Sequence, residues 1–237
     1  MNQELANAIK IYSTGTDKEL FNYLIDDKSK YTITTMFIDL LTMYINDKNS
    51  STLREFITVT LAGYEHSEKK IGYNGFRQNT FSPGSTAKCE AKPQNVDVEE
   101  FEKYKNKQRT SRPRRLNGGG NFTDYTPERL EKDKNESDLN MLVSGFVDGK
   151  LIYIFEFPFN CPDFVANLEK QVSHWKEKLE GSKSIKGQYL RSARFNYKDF
   201  MNCTKLRTVF ILPKKELSIY KDYISKGFYK FLRKHAP

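Results

Sequence analysis

The run Lys88-Cys89-Glu90-Ala91-Lys92-Pro93 places a carboxylate two residues before an ammonium, in a segment that reads as a strand. Strand side chains alternate between faces, so Lys88, Glu90 and Lys92 share one face and Ala87, Cys89 and Ala91 the other. A carboxylate on a rigid strand can ligate a hard divalent cation, and an ammonium beside it can position a water. Those are the requirements of metal-dependent phosphodiester hydrolysis. The competing reading is an ion pair on an exposed sheet face. Similar triplets occur at Glu68-Lys69-Lys70 and Asp26-Asp27-Lys28, in polar connectors where solvated charge explains them, and at Asp148-Gly149-Lys150, where turn chemistry does.

The elements around this strand follow from hydrophobic spacing. Residues 3–64 read as mostly helical. Ile33, Met36, Phe37, Leu40, Leu41, Tyr44 and Ile45 form one stripe, and Leu53, Phe56, Ile57, Thr60 and Leu61 a second behind a Ser51-Thr52 cap. From Ile71 to Lys92, Gly72, Gly75, Pro83 and Gly84 punctuate two short strands joined by a loop. Thr126-Pro127 reads as an N-cap with proline in the first turn. Leu139–Phe146 and Lys150–Phe157 are apolar runs joined by Asp148-Gly149, a hairpin signal. Pro162 opens a helix carrying Phe164, Val165, Leu168, Val172, Trp175 and Leu179 at helical spacing, and Gly181 closes it. Leu206–Leu212 reads as a strand and Leu217–Leu232 as a final amphipathic helix. This order predicts an α/β or α+β layer architecture: a helical N-terminal region over 1–64 and a core over 65–237 with a basic insertion at about 97–125.

Gly72-Tyr73-Asn74-Gly75, followed by Cys89-Glu90-Ala91-Lys92-Pro93-Gln94-Asn95, resembles the core of the PD-(D/E)XK nucleases and is most similar to type II restriction endonucleases. In that superfamily an Asp near a glycine turn and the Glu of Glu-x-Lys ligate magnesium, and the Lys orients or activates the attacking water. The resemblance covers residues 64–96 and extends loosely to Pro213. It implies a mixed central sheet flanked by helices and Mg2+ as cofactor. Glu90 is then a metal ligand and Lys92 the catalytic lysine, with double-stranded DNA as substrate and Gln94 and Asn95 among the DNA contacts. Asn74 stands where the family usually has Asp. Its neutral carbonyl oxygen lowers magnesium affinity, and Asn74→Asp is expected to tighten it. Glu65 and Glu55 are the nearest acids able to supply the missing charge. A second placement uses Asp138 and Glu156, but Glu156-Phe157-Pro158 lacks the lysine.

Between Lys103 and Arg115 the chain carries seven Lys or Arg and no acid. Lys107, Arg109, Arg112, Arg114 and Arg115 suit a phosphate-tracking segment, and an arginine there can read guanine edges. Gly118-Gly119-Gly120 is no phosphate-binding Walker loop, because no Gly-Lys-Ser/Thr follows. It lets the backbone turn sharply or approach a ligand closely. Asp124 is an added acid, or a loop residue bonding its own backbone. His66, His174 and His235 are too dispersed for a metal site or a triad. Trp175 reads as core.

The formal charge of +9 and pI near 9.2 favour a polyanionic partner, nucleic acid ahead of an anionic membrane. Residues 176–237 alone hold sixteen Lys or Arg against five acids. Three cysteines with no Cys-x-x-Cys argue against a disulfide framework or a zinc knuckle. The start lacks the basic and apolar regions of a signal peptide, and no apolar run is long enough to span a bilayer, so a cytoplasmic protein is expected. Three function classes remain. They are a magnesium-dependent site-specific DNA endonuclease, a non-catalytic nucleic-acid-binding protein with a degenerate nuclease site, and an interaction protein for an acidic partner. A palindromic DNA target would require a two-fold homodimer.

Overall fold

A computed structural model describes residues 3–26, 28–46, 51–67, 72–78, 85–180 and 190–237, without the side chains of 41–46 and 178–180. The readings at Asp27, Glu68-Lys69-Lys70, Ile71, Pro83, Gly84 and Gly181, and the side chains of Leu41, Tyr44, Ile45 and Leu179, lie outside the described residues.

Four helices come first: α1 (Gln3–Thr14), α2 (Asp17–Ile25), α3 (Lys30–Asn46) and α4 (Ser51–Leu61). Thr16 and Glu19 form a reciprocal capping box that starts α2. The strands β1 (Glu65–His66), β2 (Gly75–Gln78) and β3 (Thr86–Val96) follow, then α5 (Val98–Lys105), capped by Asp97. Next come β4 (Gly120–Tyr125), α6 (Pro127–Asn135), β5 (Leu139–Val147), β6 (Lys150–Pro158) and α7 (Pro162–Glu180). The chain ends with β7 (Leu190–Phe195), β8 (Arg207–Ile211), α8 (Lys214–Leu217) and α9 (Lys226–His235). Thr126 accepts from the Arg129 amide, with Pro127 in the first turn of α6, as its sequence predicts. Asp148 and Gly149 both take positive φ, which lets β5 and β6 turn back on each other.

The protein is a mixed α/β fold. Among the described residues, six strands form one sheet in the order β1-β2-β3-β5-β6-β8, and β4 pairs with β7 in a second, two-stranded sheet. β3 runs parallel to β5, and the other pairings are antiparallel. β5 and β6 are buried along almost their whole length because both sheet faces are covered. On one face α1 and α4 pack Leu5, Ile9, Phe56 and Ile57 against Phe146, Leu151 and Ile154. Val59, Ala62 and Tyr64 cover Ala87, Cys89, Ala91 and Leu142 on the same side. The other face buries Met141, Val143, Phe155 and Phe157 among Phe122, Tyr125, Phe164, Leu168, Phe195, Phe228 and Leu232.

Two expectations need correction. Residues 217–232 are not one helix. A 3-10 stretch over Ser218–Tyr223 ends at Ile224, which is extended and forms a parallel bridge with Leu116. The Leu116 amide donates to the Tyr223 carbonyl and the Ser225 amide to the Leu116 carbonyl, so pairing with another segment overrides helix continuation. Asp124 is in β4 rather than in a loop. It is exposed, with φ +50, and is skipped in the register between Thr123 and Tyr125.

Candidate functional site

The alternation on β3 sorts its side chains onto two faces. Cys89 and Ala91 lie under α4, where burial pushes the Cys89 thiol well above its usual range and makes it an apolar filler. Glu90 and Lys92 lie on the opposite face, beside Met141 and Val143 of β5. The Lys92 ammonium donates to Glu90 Oε1 at 2.6 Å and sits 4.8 Å from the centre of the Phe122 ring. Gly120 makes this approach of β4 feasible, since a Cβ there would fall 2.7 Å from the Lys92 Cβ. The tri-glycine thus serves close packing.

Helix α6 brings two residues that the sequence reading missed. Arg129 donates to Glu90 Oε1 at 3.5 Å and lies 3.7 Å from Asp133 Oδ2. Asp133 is a buried carboxylate that accepts from Tyr125 at 3.2 Å and from Tyr73 at 3.4 Å. Burial pushes the Asp133 carboxyl above its ordinary value, against the pull of Arg129. The Tyr73 hydroxyl is pushed up to about 12, first by burial and then by the Asp133 charge. Two buried carboxylates, Glu90 and Asp133, therefore share one guanidinium that is itself 38% exposed. Both Glu90 contacts fall on Oε1, and among the described residues Oε2 accepts no hydrogen bond. Lys88, on the same face, pairs with Glu136 at 2.6 Å and lies over the Tyr73 ring. In the sequence Asp133 looks no different from Glu128 or Glu131. The available signal was its spacing of four from Arg129 on a helix whose cap was legible.

Asn74 holds structure together. Its Oδ1 accepts from the Ala91 amide at 2.7 Å, and its Nδ2 donates to Glu55 on α4 at 3.2 Å. It thereby fixes the chain that carries Tyr73. Glu55 thus meets Asn74, while Glu65 is exposed on the edge strand β1. Asp138 is half-buried just before β5, its carbonyl accepting from the Lys88 amide.

Glu156 lies on the face opposite Glu90. It accepts from Tyr64 at 2.7 Å, Arg77 at 3.2 Å and Arg207 Nε at 2.8 Å. Among the described residues no group of three or more His, Cys, Asp or Glu gathers as a ready metal cage. The histidines stay apart. His66 stacks edge-on to Phe56, His174 is exposed, and His235 packs on Phe231 with its pKa lowered by burial. Trp175 is half-buried.

The basic stretch ends at the site. Gln94 is two residues beyond Lys92 on β3. Its Oε1 accepts from the Asn117 and Gly119 amides and its Nε2 donates to Asn117 Oδ1 at 2.7 Å. The side chain of Gln94 thus clamps the segment that follows Arg115 onto β3. Arg112 and Arg114 are exposed, while Arg115 is half-buried with a Nε that finds no hydrogen-bond partner among the described residues. Arg109 is tied to Glu100 at 2.6 Å and to the Ser111 carbonyl. Lys107 is exposed just past α5 at φ +58, and Asn95 is exposed near the end of β3.

No protein-family model matches the chain, and no curated protein matches it.

Proposed function

We propose that the chain is a divalent-metal-dependent phosphodiesterase, acting on double-stranded DNA as a restriction-type endonuclease centred on Glu90 and Lys92. The carrying observation is the buried Glu90, with Lys92 at 2.6 Å and Arg129 at 3.5 Å on one carboxylate oxygen and, among the described residues, no hydrogen bond to the other. A magnesium ion takes one or two carboxylates and completes its shell with waters and phosphate oxygens. Glu90 and Asp133 match that sparse donor set, and the exposed Arg129 between them is a cation already bridging the two. Bound there, the metal would polarise a phosphoryl oxygen and lower the pKa of water. Lys92 is placed to hold a water beside Glu90 and to offset negative charge on the phosphate. Tyr73 and Tyr125 hold Asp133 by their hydroxyls. The clamp at Gln94 leads the Arg112–Arg115 segment to the same end of β3, where it would neutralise phosphates.

A second reading, nucleic-acid binding without cleavage, draws on Asn74 being occupied by the Ala91 amide and Glu55 and on the lack of a third acid among the described residues. Incubation with plasmid DNA in magnesium, and then in EDTA, separates the two. Fragments that vanish with EDTA support cleavage. Retention of DNA that weakens steeply with salt, without cutting, selects the second reading.

A further inference from the structure

The N-terminal helices expose apolar side chains to an extent found nowhere else in the described structure. Of the ten large hydrophobic residues exposed among the described residues, six lie on α1–α3: Tyr12, Phe21, Ile25, Tyr31, Phe37 and Ile38. Tyr31 is 81% exposed and Phe21 64%. Helix α2 buries no residue at all, and Met36 is the only buried side chain among the described ones of α3. Phe21 and Ile25 are one turn apart on α2, and Tyr31 and Ile38 two turns apart on α3, so each helix carries a stripe facing away from the core. Helix α1 packs against both.

We propose that this layer is the surface through which two copies of the chain pair. Two observations select a second copy. The first is charge. Residues 1–46 hold four Lys, no Arg and six Asp or Glu, in a chain whose net charge is +9. A polyanion or an anionic lipid surface is repelled by this layer, whereas two copies can meet through it without the repulsion their basic faces would cause. The second is area. At the exposures these six residues show, with about 200 Å² per side chain, roughly 700 Å² of largely apolar surface stands in water. A stable interface takes about 800 Å² from each partner.

The pairing does not depend on the nuclease reading, and its test uses no DNA. Sedimentation velocity of the full chain at up to about 100 µM should give twice the monomer mass. Phe21→Ser/Tyr31→Ser should sediment as a monomer with an unchanged circular dichroism spectrum. Phe37→Ser/Ile38→Ser is the second variant, used if the first fails to fold. Met201→Ser, at an exposed position elsewhere, should remain dimeric. A wild-type monomer throughout, or a dimer that survives either folded double variant, overturns the proposal. So does co-sedimentation of the wild type with anionic vesicles that Phe21→Ser/Tyr31→Ser abolishes, which would make lipid the occupant.

Discussion

Glu90 and Glu156 are carboxylates on opposite faces of one sheet, each 6% exposed, yet their surroundings differ. Glu156 is enclosed by Tyr64, Arg77 and Arg207, and both of its oxygens are taken. Tyr64 in turn accepts from Asn140 and Arg77, and Arg207 also donates to the Ala62 carbonyl. Tyr64, Arg77 and Arg207 thereby join the chain just past α4, β2 and the edge strand β8 to the central hairpin. Glu90 receives Lys92 and Arg129 on a single oxygen, and the second buried acid, Asp133, lies across the guanidinium. Equal burial thus hides unequal saturation. A saturated carboxylate fastens elements together, and one with an open oxygen can take a ligand.

Stability measurements can break this comparison. Glu156→Ala leaves Arg77 and Arg207 facing an empty position. It should destabilise by about 3 kcal/mol, less than for a fully enclosed network because Arg207 reaches solvent. A denaturant midpoint unchanged from wild type would remove Glu156 from its structural role. Gly120→Ala drives a Cβ to within 2.5 Å of the Phe195 ring and 2.7 Å of the Lys92 Cβ. It should cost about 2 kcal/mol and disturb only the Glu90 side, which thermal melts and cleavage assays together would resolve. Asn74→Asp sets a second carboxylate against Glu55 in place of a donated hydrogen bond. A loss of about 1 kcal/mol is expected, with no gain in magnesium affinity. Tighter magnesium binding by calorimetry would return Asn74 to the metal site. Lys88→Ala removes a half-exposed ion pair with Glu136 and should shift stability by no more than about 0.5 kcal/mol.

Part of this arrangement was legible in the sequence. The alternation at Lys88–Lys92, the Asp148-Gly149 hairpin, the Thr126-Pro127 cap and the helical N-terminal region depend on local periodicity and turn chemistry, and each has its element. The pairing of β4 with β7 was not legible, because β4 has no alternating apolar pattern, β7 alternates only over Ala193-Arg194-Phe195, and the two are distant in sequence. Ile224 looked helical because its pairing with Leu116 is long-range. At the candidate site, Glu90 and Lys92 are two residues apart and were found together. Arg129 and Asp133 join them only because the Arg129 side chain reaches from α6 to Glu90 on β3, which no local pattern encodes. The clamp that Gln94 makes on the loop through Asn117 and Gly119 was not legible either, because it is set by tertiary approach.

The most direct test of the central claim is plasmid cleavage in magnesium by wild type and by Glu90→Gln, with thermal melts on both. Glu90→Gln keeps the shape of the side chain and removes its charge. Wild type should cut, and the variant should lose cutting by about 100-fold or more while melting within a few degrees of wild type. A variant that cuts like wild type, or a wild type that never cuts, would contradict the assignment of catalysis to the open face of β3.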